Sequence, residues 1–264
     1  MTHFMHSCMV FLQFMRRDFY IYKKQIKTFF INYVILTPLR LGFFFAYLQK
    51  NIYFESQAAE HGTMLFVGSL IIPLLVIAFT ITIDLLFDLE GDRYIAYQLS
   101  ILNPRLVFVQ RTLFAGLFTF ILTLPLFPMV KLVVGNNLVT DETSWVKLTC
   151  VLFMGALCCA SYNMLAMSLL SIKRLRVFWP RVNTPLVNLA GMWAPLFAIK
   201  MFSPLLGVIA YANPLLYIIE GMRQAVLASP VFLSFGLCMG ALALFTCFFT
   251  VLSWHFFKKR LDYV

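Results

Sequence analysis

The stretch MLFVGSLIIPLLVIAFTITI, Met64 to Ile83, runs for twenty residues without an ionisable side chain. As an α-helix, twenty residues rise about 30 Å, the thickness of bilayer hydrocarbon. Lipid offers no water to bond exposed amides, and a helix satisfies its backbone within one segment. The stretch therefore reads as a transmembrane helix. Working outward, Thr28–Leu48 precedes it, and Thr112–Val130, Leu148–Ile172, Val182–Ile199 and Val231–Phe257 follow. The fifth is short and is interrupted by Pro185 and Pro195. None shows the period-two alternation of a barrel strand. The expectation is an all-α integral membrane protein forming a single transmembrane domain. Residues 1–27 read as an interfacial helix, 28–257 as a bundle of six transmembrane helices, and 258–264 as a cytoplasmic tail.

Composition agrees. Hydrophobic residues make up 61% of the 264 and charged residues 12%, with mean hydropathy +0.85. Soluble domains carry roughly 25% charged residues, so lipid is the solvent that fits this chain. The net charge of +10 does not indicate a nucleic-acid partner. Lys and Arg sit in short clusters between apolar runs, where they report orientation. With six spans, fifteen of them fall on the side of the N-terminus, including Arg16-Arg17, Lys23-Lys24, Lys173-Arg174, Arg176, Arg181 and Lys258-Lys259-Arg260. Five fall on the other: Lys50, Lys131, Lys147, Lys200 and Arg223. Both termini are thus expected to be cytoplasmic, in the inner membrane.

Two segments modify this scheme. His6–Lys24 mixes Met9, Phe11, Leu12, Phe14, Phe19 and Tyr22 with basic residues, the composition of a helix lying along a membrane surface. Ser203–Ile219 is apolar but broken by Pro204, Gly207 and Asn213-Pro214. It reads either as a seventh crossing, which would place Lys258-Lys259-Arg260 outside, or as a re-entrant helical hairpin before the last span.

No catalytic or cofactor motif is present. GxxxxGK[ST], HExxH and GxSxG are all missing, and His3, His6, His61 and His255 lie near span ends or in the N-terminal tail. The six cysteines contain no CxxC pair and mostly occupy apolar runs, as small packing residues do. No catalytic, metal or cofactor residue is expected.

Polar residues concentrate in two places. After the second span come Asp84, Asp88, Glu90, Gly91, Asp92 and Arg93, then Tyr94–Leu102, then Asn103-Pro104-Arg105. Pro104 restricts Asn103 and ends any helix there, so a short amphipathic helix is expected over Tyr94–Leu102. Its side chains Tyr94, Tyr97, Gln98 and Ile101 are spaced to share one side. Before the last span, Asn213-Pro214 signals a turn. Tyr217, Glu220 and Arg223 follow at intervals of three, on one helix face where Glu220 and Arg223 can pair. Such a pair beside apolar segments is costly unless it is bonded or wet.

In this order of parts the chain resembles the ABC-2 type transporter permeases. The carriers are the basic N-terminal helix, six spans, Glu90-Gly91 with Pro104, Thr184-Pro185-Leu186, and Asn213-Pro214 with Tyr217 and Arg223. The stretch after Glu90 departs from the family's usual leucine-rich text. The resemblance implies a permease dimer, of identical or paralogous chains, each docked on a separate ATP-binding subunit. It implies that Asp88–Arg105 couples to that ATPase, through Asp88, Glu90, Gly91, Asp92, Tyr94, Tyr97 and Pro104. It implies that Ala212–Ser229 forms the outer re-entrant exit element, with Asn213, Pro214, Tyr217, Glu220 and Arg223. Arg40, inside the first span, either snorkels to the outer interface or contacts an anionic head group. Lys200 invites the same two readings. The alternative is a secondary transporter or channel-like protein without an ATPase partner. A secondary transporter needs ion-binding groups near the midplane, and the deep spans carry almost no carboxylates.

Overall fold

The computed structural model describes residues 2–36, 39, 55–90, 94–134 and 142–261, which form helices and no strand. Arg40, Gly91, Asp92 and most of the expected first span lie outside the described residues, as do the side chains of Glu90 and Tyr94.

Helix α1 (Thr2–Phe29) passes directly into a π-helical turn, Phe30–Ile35. The chain is therefore helical straight through residues 27 and 28, where the sequence reading divides a surface helix from the first span. Helices α2 (Glu55–Ser69) and α3 (Ile71–Glu90) follow one path with an interruption at Leu70. Pro73 explains it: the ring has no amide proton for the Ser69 carbonyl and crowds the turn before it. Helix α4 covers Tyr94–Ile101, within one residue of the expected short helix. Helices α5 (Pro104–Thr123) and α6 (Leu126–Val134) are separated at Leu124-Pro125, again by proline. Helix α7 is Trp145–Leu169, and α13 is Phe235–Leu261.

Four helical paths among the described residues are long and apolar enough to cross a membrane: Gly62–Leu89, Pro104–Met129, Trp145–Leu169 and Phe235–Leu261. The expected fifth span needs correction. Helices α8 (Ile172–Phe178) and α9 (Thr184–Leu189) are joined by a π turn, Trp179–Asn183. Pro180 and Pro185 each lack an amide proton, and the wider turn absorbs the misfit. The helix then ends. Gly191 adopts φ +81°, and a Cβ there would stand 2.6 Å from the Ala194 carbonyl oxygen. Helix α10 (Leu196–Phe202) starts only after Pro195. Val182–Ile199 is therefore two helices flanking a turn, not one continuous helix. Beyond it, α11 (Pro204–Tyr211) and α12 (Pro214–Leu227) bend by 96°.

Three helix starts share one device. Asn103, Ser203 and Asn213 each accept an amide hydrogen bond as N-cap, and each precedes a proline at the first helical position. The central helix is α7, which packs on α3, α5, α12 and α13. Its run Gly155, Ala156, Cys158, Cys159, Ala160 and Ser161 is small, so neighbours approach closely. Ile218 of α12 seats against Gly155, where a Cβ would lie 3.0 Å from its Cγ2. Hydroxyls bond across α7 and α13, Thr250 to Ser161 at 3.1 Å and Ser168 with Ser253 at 3.4 Å. Arg260 of α13 donates to the Met167 and Leu170 carbonyls and so caps the C-terminus of α7. On the outer side of α13, Leu237, Leu244, Phe248 and Val251 are exposed. Burying such a side chain is worth about 1.5–3 kcal/mol, so this face belongs in lipid. The chain is built as a multi-pass membrane protein.

Candidate functional site

The first polar constellation is centred on α12. Asn213 Oδ1 accepts from the Leu215 amide at 3.0 Å, and its Nδ2 donates to the Leu186 carbonyl at 2.6 Å. One side chain thus starts α12 and ties it to α9. Pro214 stands at the first position of α12, and the Tyr217 hydroxyl donates back to the Tyr211 carbonyl at 2.8 Å. Together they hold the sharp bend between α11 and α12.

Glu220 and Arg223 are fully buried and pair at 3.2 Å. Arg223 also donates to the Met64 carbonyl at 3.2 Å, Gly191 at 2.8 Å and Met192 at 3.2 Å. Glu220 accepts from the amides of Leu196 at 3.2 Å and Leu233 at 3.4 Å. The pair meets the condition that sequence reasoning set: every charge is bonded. Its partners lie on α2, on the turn after α9, at the start of α10 and in the loop before α13. It is a clip joining five segments. Gly68 leaves room for it, since a Cβ there would stand 2.4 Å from the Met192 carbonyl oxygen and 2.7 Å from Arg223 Nη2. Lys200 donates to the Tyr211 hydroxyl at 2.6 Å and lies 4.8 Å from that ring's centre, so it links α10 to α11.

The second constellation lies at the other end of α3. Arg111 of α5 binds Asp88 of α3 and donates through Nη2 to Gln98 Oε1 of α4 at 2.8 Å. A single guanidinium thereby fastens the short helix between two long ones. Beside it, Gln110 donates to Asp18 of α1 at 2.7 Å, and the Tyr22 hydroxyl binds Asp84. Burial, reinforced by the Asp84 carboxylate, pushes the Tyr22 phenol up, so it remains a proton donor. Asp18, Tyr22, Asp84, Asp88 and Arg111 line a cavity of about 240 Å³ together with Ile81, Leu85 and Phe114.

One expectation for this end is corrected. Gln98 does not share an outward face with Tyr97 and Ile101: it is buried, whereas those two are exposed. Neighbours in a helix point about 100° apart, and Ile95, Gln98 and Leu102 make the inward stripe. Asp88, expected in the coupling stretch, is bonded to Arg111. Pro104 stands at the first position of α5, just after the helix stop expected at Asn103. Alongside Tyr97 and Ile101, the α1 residues Val10, Gln13, Phe14 and Arg17 complete a groove of about 340 Å³.

Met64 at the clip and Asp88 in the second constellation, the elbow where α3, α4 and α5 meet, are 24 residues apart on almost one helical path, about 36 Å at 1.5 Å per residue. The two constellations thus sit at opposite ends of the bundle, with α3 and α7 as rods between them. No group of three or more His, Cys, Asp or Glu among the described residues is arranged to hold a metal ion. The arrangement braces helices against one another. Sequence reasoning missed Asp18, Tyr22, Gln110 and Arg111. A signal existed for α1, where Phe14, Asp18, Tyr22 and Phe29 recur on one face and all are buried. Compared with known proteins, the chain matches no family model, no curated protein and no solved structure.

Proposed function

We propose that this chain is the permease subunit of an ATP-driven exporter of the ABC-2 type, working with a separate ATP-binding chain. In this reading it has six spans with both termini cytoplasmic, α11 and α12 form the re-entrant exit element, and two permeases, identical or paralogous, make one pore. The cargo is a lipid, a glycan or lipo-oligosaccharide, or a drug-like molecule. One observation carries the reading: α4, braced by Arg111 to Asp88 and Gln98 at the end of two long apolar helices, turns Tyr97 and Ile101 outward beside α1. A short surface helix rigidly tied to two spans is what is needed to pass a partner's motion into a membrane. A secondary transporter fits less well, because α3 carries no carboxylate before Asp84.

The test is affinity purification of the tagged chain in mild detergent from its cells of origin. A stoichiometric partner carrying GxxxxGK[ST] is expected. Tyr97→Glu combined with Ile101→Glu should lose that partner while membrane levels stay normal. Purification without any such chain, or capture unaffected by the double substitution, would contradict the proposal.

A further inference from the structure

A second groove lies between α3 and the α8 segment. Val76, Phe79, Thr80 and Ile83 form one wall, and Leu175, Arg176 and Trp179 the other, around about 410 Å³. The lining is apolar with two exceptions. Thr80 donates its hydroxyl to the Val76 carbonyl at 2.8 Å, which removes it as a polar group facing the groove. Arg176 remains, and it is exposed. The wall is firm: Phe79 meets Trp179 edge-on at 5.4 Å and stacks on Phe178 at 6.1 Å. From Val76 to Ile83 the groove follows about 10 Å of helix, the reach of half an acyl chain.

Charge identifies the occupant. Lys173, Arg174 and Arg181 are exposed on the same segment as Arg176, and none of the four is in an ion pair among the described residues. An open apolar groove with a guanidinium in its wall, on a segment of uncompensated cations, complements a molecule with a hydrocarbon tail and a phosphate. The fork of an arginine suits phosphate oxygens. We propose that this groove binds an anionic phospholipid of the surrounding leaflet, its phosphate on Arg176 and the upper part of one acyl chain against Phe79 and Trp179. The proposal needs a bilayer around the chain but not an ATPase partner.

Trp179 reports on the site. With Trp145, Trp193 and Trp254 replaced by Phe, the protein is reconstituted in vesicles of phosphatidylcholine and phosphatidylglycerol. The bromine label, on the first half of the acyl chain, is carried by one lipid or the other as the minor component. Brominated phosphatidylglycerol should quench Trp179 more efficiently than brominated phosphatidylcholine. Arg176→Gln should cut that preference about fivefold, the effect of one basic side chain on an anionic lipid near the surface. Arg176→Lys should retain part of it. Equal quenching by the two lipids, or a preference untouched by Arg176→Gln, would overturn the proposal. So would a preference abolished only by replacing Lys173, Arg174 and Arg181 together, since that describes a diffuse basic surface. Native mass spectrometry of the unsubstituted protein and of Arg176→Gln gives the same comparison without tryptophan changes: the variant should retain less phosphatidylglycerol, and equal retention would count against the site.

Discussion

Replacing Arg223 with Met tests whether the buried clip holds the α9–α13 region together. Met is close in length and apolar, so the cavity left is small, but four hydrogen-bonded contacts disappear at once: to Glu220, Met64, Gly191 and Met192. Glu220 keeps its two amide donors and loses its counter-charge. Breaking a buried pair by removing one partner costs about 3–5 kcal/mol, a factor of roughly 10²–10⁴ in the folded-to-unfolded ratio. Glu220→Gln keeps one acceptor oxygen for Leu196 and Arg223 but loses the charge and the acceptor for Leu233, so it should cost less, about 1–3 kcal/mol. Removing both charges together should cost at least about 1 kcal/mol less than the sum of the single changes, because the partners are in contact. The assay is equilibrium unfolding in mixed micelles with rising dodecyl sulfate, followed by tryptophan fluorescence; Trp193 adjoins the clip at Met192. A loss below about 1 kcal/mol for Arg223→Met, or strict additivity in the double variant, would refute the reasoning.

Three further outcomes follow from the same packing. Gly68→Ala should destabilise by about 1–3 kcal/mol, since its methyl would collide with the Met192 carbonyl and Arg223, whereas Gly236→Ala, with nothing within 4 Å of the added atom, should lose no stability in the same unfolding assay. Arg111→Gln should release α4 from Asp88, seen as faster proteolysis or amide exchange over residues 94–101 with the unfolding midpoint of the whole protein lowered less than by Arg223→Met. In a cysteine-free background, single cysteines at Lys147 and Lys258 should label from opposite sides of the membrane, with Lys258 protected in intact cells; labelling of both from outside would overturn the proposed topology.

How far the sequence could be read depended on how local the information was. The run Met64–Ile83 needed only its own composition, and it lies inside the span-length path Gly62–Leu89. The helix over Tyr94–Ile101, its stop before Pro104 and the turn at Asn213-Pro214 were legible because prolines and turn residues act within a few residues. The pairing of Glu220 with Arg223 was legible for the same reason. The break in the expected fifth span at Gly191 was not legible, because the turn depends on one backbone angle that hydrophobicity does not report. Gln98 was placed on the wrong face because spacing shows which residues share a side, not which side faces in. The elbow network was hidden by distance along the chain: Gln110 is 92 residues from Asp18, and Tyr22 is 62 from Asp84. Only the packing of α1 on α3 and α5 brings them together.

The proposal that α4 is where an ATP-binding partner pushes on the membrane domain can be tested at one side chain. Tyr97 is 58% exposed, so a photoreactive phenylalanine derivative fits there without disturbing the inward stripe of Ile95, Gln98 and Leu102. The same derivative at Phe202, 85% exposed on α10, serves as the control on the clip's side of the bundle. Irradiation of native membranes should join position 97, and not position 202, to a chain containing GxxxxGK[ST]. Adducts at position 97 that contain only lipid, or an ATP-binding chain captured equally from both positions, would contradict the account.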